Sequence, residues 1–84
     1  MTSRKGENML DQLKEIVVRY AEVNPDDIRG DTKLVEELGL TSFAVMSMMG
    51  DIEEEFGITV VEEELADIST VDDVLQYIAR KQAE

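Results

Sequence analysis

Apolar residues recur at spacings of three and four in three stretches of the chain, and each stretch predicts an amphipathic helix. The first runs through Met9, Leu10, Leu13, Ile16, Val17 and Tyr20. Asn8 is suited to cap its N-terminus, and Asp11 falls in the first turn, where the helix dipole favours a negative charge. Pro25 pushes Asn24 towards extended geometry, so this helix must stop before it. The second stretch, Ser42 to Phe56, ends at Gly57, a residue that readily takes the left-handed conformation closing a helix. The third carries Val71, Val74, Leu75 and Ile78. Ser69 or Thr70 can cap it, each with an aspartate three residues on, and Arg80 and Lys81 suit its C-terminal end.

A short turn of helix over about Glu62–Ala66 carries Leu65 inward, with Ile68 just beyond. No segment alternates as a strand should except Ile58 to Val61, which has no second strand to pair with. The prediction is therefore all-α: a bundle of three long helices and one short one. The connection from Glu22 to Thr41 is long for so small a domain, and a loop of that length must be functional or packed. Val23, Ile28, Leu34, Val35, Leu38 and Leu40 are its candidate anchors, with a helical turn expected near Lys33–Glu37.

The second helix has one apolar stripe more than a surface helix needs. At about 100° per residue, Val45, Met48, Met49, Ile52 and Phe56 share one sector, the core face. Phe43, Met46 and Gly50 share another, flanked by Glu53 and Glu54, with Asp51 a little further round. An apolar stripe rimmed by carboxylates has the form of a docking surface. The competing reading packs Phe43 and Met46 under the long loop and leaves Glu53–Glu55 as a solvated face. Gly50, unfavourable inside a helix, is either tolerated or lets a partner approach the backbone closely.

Composition narrows the function. Eighty-four residues make one domain, with a core expected over about residues 8–81. Such a chain buries only about 60–65% of its unfolded surface, which leaves little room for an enclosed active site. Twenty acidic residues against eight basic ones give a net charge of −12. Nucleic acid and anionic membrane surfaces are thus poor partners, and a basic protein surface is a good one. The chain has neither cysteine nor histidine, so it lacks a disulfide framework, a thiolate metal site and the commonest general base. No run is apolar enough for membrane insertion, and Met1–Gly6 lacks a signal peptide's hydrophobic stretch, which points to the cytoplasm. An EF-hand with Gly30 at its sixth position would put Pro25 and Arg29 at ligand positions, and neither can coordinate calcium.

Ser42 stands where loop becomes helix. A cap is the plain reading, and Thr41 serves it equally well. Nothing nearby in sequence could activate the hydroxyl, so any chemistry there needs catalytic groups from another protein. A phosphate attached at this point would meet the free N–H groups and positive dipole end of the helix.

The stretch Asp31-Thr32-Lys33-Leu34-Val35-Glu36-Glu37-Leu38-Gly39-Leu40-Thr41-Ser42-Phe43 resembles the region before the second helix of acyl carrier proteins. The blocks Asp51-Ile52-Glu53-Glu54-Glu55-Phe56-Gly57-Ile58 and Thr70-Val71-Asp72-Asp73-Val74 follow at that family's spacing. The resemblance implies a four-helix bundle whose Ser42 receives a covalent 4'-phosphopantetheine arm from a separate phosphopantetheinyl transferase. The arm's thiol would hold acyl intermediates as thioesters, replacing the cysteine that the chain lacks. It further implies a monomeric carrier with no catalytic site of its own. Its partners would be acyl-loading and acyl-transferring enzymes of fatty-acid or polyketide-type biosynthesis, with basic docking surfaces. The implied contact residues are Thr41, Phe43, Met46, Gly50, Glu53 and Glu54. Thr41 replaces the aspartate usual before the serine, Ser47 a common acidic docking residue, and Val61 a common proline. The first two changes lean towards a specialised carrier. An aminoacyl or peptidyl carrier of a natural-product pathway is the alternative within the family; an unmodified helical adaptor is the alternative outside it.

Overall fold

The computed structural model describes residues 8–84, so the Met1–Gly6 stretch, read above as lacking a signal peptide, lies outside the described residues. Three α-helices form where the periodicity places them: α1 (Met9–Val17), α2 (Ser42–Phe56) and α3 (Val71–Gln82). The short fourth helix is a 3-10 turn over Glu62–Asp67, and a smaller 3-10 turn, Pro25–Asp27, adds to the expected set. Among the described residues no strand forms; Ile58 to Val61 is irregular and pairs with no strand.

The ends of these helices follow local chemistry. Asn8 Oδ1 accepts the Asp11 N–H at 2.9 Å and starts α1. The helix closes at Val17, earlier than the apolar spacing through Tyr20 suggests. There the backbone tightens: Arg19 and Tyr20 donate to the carbonyls three residues back, Ile16 and Val17. Gly57, at φ 67°, ends α2 in the left-handed region. At α3 the cap is Thr70, not Ser69. Thr70 Oγ1 accepts the Asp73 N–H at 3.1 Å, and Asp73 Oδ2 accepts the N–H groups of Thr70 and Ser69 at 3.1 and 3.0 Å. These bonds favour the carboxylate and hold the Asp73 pKa below its ordinary value. A lowered folded value means that the stabilisation is present above the ordinary carboxylate pKa and is lost as pH falls through the lowered one. We predict that Thr70→Ala costs about 1 kcal/mol in a denaturant melt, and that Asp73→Asn reduces the loss of stability on acidification.

The core draws Leu13, Ile16 and Val17 from α1, Met48, Met49 and Ile52 from α2, and Val71, Val74, Tyr77 and Ile78 from α3. Ile28, Leu34 and Leu40 complete it from the long connection, which answers why that loop can be ordered. Val35, counted among its anchors in the sequence, is instead 59% exposed. It lies on the outer side of the helical turn closed by Glu37 and Leu38 N–H bonds to Lys33 O. The loop is also laced to the start of α3: Leu34 N–H donates to Ser69 O, Val71 N–H to Thr32 O, and Asp72 N–H to Gly30 O at 2.7 Å. A Cβ at Gly30 would sit 2.5 Å from Asp72 Oδ1, so a side chain there would have to push the exposed Asp72 carboxylate aside. The chain leading into Ser42 is therefore anchored by both burial and hydrogen bonds.

Candidate functional site

The loop-to-helix junction is built by Leu40, Thr41 and Ser42. Leu40 is buried and fixes the approach of the chain. Thr41 is the cap, with extended backbone (φ −78°, ψ 167°) and its Oγ1 accepting the Ala44 N–H at 3.1 Å. Ser42 is the first helical residue, exposed and outside the cap. The two hydroxyls that sequence leaves equivalent thus have different work. Thr41 Oγ1 and Thr41 O take the Ala44 and Val45 N–H groups. The amides of Ser42 and Phe43 remain at the positive end of a fifteen-residue helix. An anion tethered to Ser42 would meet them there.

An apolar groove of about 320 Å³ opens beside Ser42. Its walls are Leu34 and Val35 of the loop, Val45 and Met46 of α2, and Leu65, Ala66 and Ile68 at the far side, with Glu62 at its edge. Sequence reasoning missed this groove, because its walls come from three separate stretches of the chain that only the fold brings together.

The second stripe of α2 faces outward as the wheel requires. Phe43 is 81% exposed and does not pack under the long loop, whereas Met46, 41% exposed, also lines the groove that Leu34 and Val35 of the loop border. Gly50 is exposed, and a Cβ on it would meet no atom within 4 Å. Glu54 is exposed beside them. Glu53 is different: its Oε2 accepts the Val60 N–H at 2.7 Å and secures the chain leaving α2. Asp51 is likewise engaged, accepting from Tyr20 OH at 2.6 Å and pairing with Arg19 at 3.3 Å. The phenol's pKa is raised chiefly by that hydrogen bond, then by burial and by the Asp51 charge. Phe43, Gly50 and Glu54 are exposed on this face, and Met46 lies between it and the groove.

Among the described residues no group of three His, Cys, Asp or Glu side chains could hold a metal ion. Nor is any described helix long and apolar enough to cross a membrane.

A family model described as phosphopantetheine attachment site matches residues 11–78. The chain is 40% identical over 70 residues to an acyl carrier protein of Wolinella succinogenes, an alignment covering 83% of this chain and 92% of that one. It is 36% identical to an acyl carrier protein of a Sulfurovum species, covering 83% and 93% of the two chains. An acyl carrier protein of Thermotoga maritima is 33% identical over 81 residues, or 96% of this chain and 98% of its own.

Proposed function

This chain belongs to the acyl carrier protein family of phosphopantetheine attachment domains, and we propose that Ser42 is the residue bearing its arm. The family carries acyl groups on covalently attached 4'-phosphopantetheine and interacts with phosphopantetheinyl transferase and acyl-handling enzymes. The observation that carries the assignment is the division of labour at the start of α2. Thr41 caps, so the exposed Ser42 hydroxyl is left to accept a substituent at no cost to the helix. The phosphate fits there because the first-turn amides and the helix dipole face it. When bound, the arm supplies a thiol that holds acyl groups as thioesters.

The remaining surface is read in the same way. The apolar groove beside Ser42 shelters the carried chain, and its lining favours an alkyl chain over an aminoacyl group, whose ammonium would be desolvated there. Thr41, Phe43, Met46, Gly50 and Glu54 form the docking face. Glu53 contributes charge to that face while holding Val60. Partner enzymes present basic surfaces to it, drawn by the net charge of −12. The chain works as a single carrier domain, monomeric, in the cytoplasm, and without catalysis of its own. Thr41 and Ser47, in place of carboxylates, support service in a specialised acyl pathway. Intact-protein mass spectrometry of the chain from its own cells tests this reading. We predict one phosphopantetheine mass plus an alkyl acyl group. An aminoacyl mass in its place would move the chain to the other branch of the family.

A further inference from the structure

The groove's outer wall is the least self-supporting element of the fold. The Glu62–Asp67 turn has no fully buried residue, and Val61 before it offers no side-chain cap. Three successive carboxylates, Glu62, Glu63 and Glu64, crowd its first turn. Such an element is held by what reaches it from elsewhere. From α2, Glu53 holds Val60, just ahead of the turn. From α3, the Tyr77 hydroxyl makes two bonds at once: it accepts the Val61 N–H at 3.0 Å and donates to Glu64 Oε1 at 2.6 Å. Lys81 Nζ lies 3.3 Å from the same carboxylate oxygen, and Arg80 and Lys81 both lie over the Tyr77 ring.

We propose that the Tyr77 hydroxyl is the latch that holds the Glu62–Asp67 turn closed as the wall of the groove beside Ser42, so that it governs how well a carried chain is shielded. The shielding half rests on the carrier reading given above; the latch half does not.

Two features separate this role from simple core filling. The ring is 1% exposed and packs in the core, but the hydroxyl's two partners belong to the turn and to the residue before it. Val61 and Glu64 are themselves exposed. If the hydroxyl is removed, water can satisfy both, so no buried polar group is orphaned and the fold persists. Tyr77→Phe therefore keeps the core contact and deletes the latch. The expected consequence is local: the turn opens more often while global unfolding changes little. Leu65 and Ala66 then swing away from Val45 and Met46, widening the groove.

The experiment has two arms. In the first, amide hydrogen exchange is compared between unmodified wild type and Tyr77→Phe. Exchange at Val61, Glu64 and Ile68 should rise by at least about fivefold, the scale of one lost hydrogen bond, while core amides of α1 are unchanged. Glu64→Ala, a surface change that leaves the buried ring intact, should act in the same direction and serves if Tyr77→Phe does not fold. In the second arm, octanoyl and acetyl forms of both proteins are treated with hydroxylamine. Its nitrogen bonds to the thioester carbonyl carbon, the C–S bond breaks, and the thiol and a hydroxamic acid are released. Tyr77→Phe should speed this reaction for the octanoyl form and not for the acetyl form, whose chain is too short to be held. Unchanged exchange in the turn overturns the latch. Faster exchange with equal thioester reactivity for the octanoyl forms overturns the shielding role. Failure of wild type to accept any arm contradicts the carrier reading instead, and the exchange arm still decides the latch.

Discussion

Replacing Ile52 with alanine should leave little folded protein, whereas Phe43→Ala should fold normally and fail with its partners. The two residues lie on one helix, nine positions apart, and differ in what surrounds them. Ile52 is fully buried among the core side chains of all three helices. Removing three of its carbons deletes burial and leaves a cavity, at a cost of about 2–5 kcal/mol. A domain of this size has roughly 5 kcal/mol to lose. Phe43 is 81% exposed, so its truncation should change stability by no more than about 0.5 kcal/mol. The measured pair is a denaturant melt and a rate of acyl transfer to a partner enzyme, for Ile52→Ala, Phe43→Ala and Met46→Ala. Equal destabilisation by Phe43→Ala and Ile52→Ala would show that the second stripe is core. Phe56, which shares the core sector of the wheel, is a weaker control because it is only half-buried at the end of α2. Charge reversal at Glu54 should slow association, most at low salt. At Glu53 the same change also removes the acceptor of the Val60 N–H, so a loss there mixes docking with fold.

Much of this architecture was legible because burial in a helical bundle imposes a period on the sequence. The core face of α2, the outward direction of Phe43, Met46 and Gly50, and the cap at Asn8 all follow from position alone. What was not legible depends on three-dimensional pairing. Thr41 and Ser42 are chemically interchangeable as caps, and only backbone geometry assigns the task to Thr41. Val35 sits in an apolar-rich loop, yet the helical turn through Lys33–Glu37 rotates it to the outside. α1 stops at Val17 although the apolar spacing continues to Tyr20, whose hydroxyl donates to Asp51, thirty-one positions away. Glu53 looked like one more surface carboxylate, and its bond to Val60 is invisible without the fold. The role of Tyr77 left one trace: a buried phenol on the apolar face of α3 must find hydrogen-bond partners. Sequence could not say which ones. Burial first, then the Glu64 hydrogen bond, raises its pKa, while the same bond lowers that of Glu64.

The central claim is that Ser42 alone carries the arm. Ser42 is exposed at the start of α2 and is not needed as its cap, so Ser42→Ala should fold with the helix intact. The other serines differ in setting. Ser47 lies on the middle of α2, away from any helix N-terminus. The Ser69 hydroxyl lies 3.3 Å from Asp73 Oδ2, to which it donates, beside the α3 cap. Ser3 lies outside the described residues. The decisive measurement is the intact mass of wild type and Ser42→Ala, each co-expressed with a promiscuous phosphopantetheinyl transferase. Wild type should gain one phosphopantetheine mass and Ser42→Ala none, with both showing the same helical circular dichroism. An arm on folded Ser42→Ala, or none on folded wild type, would contradict the assignment.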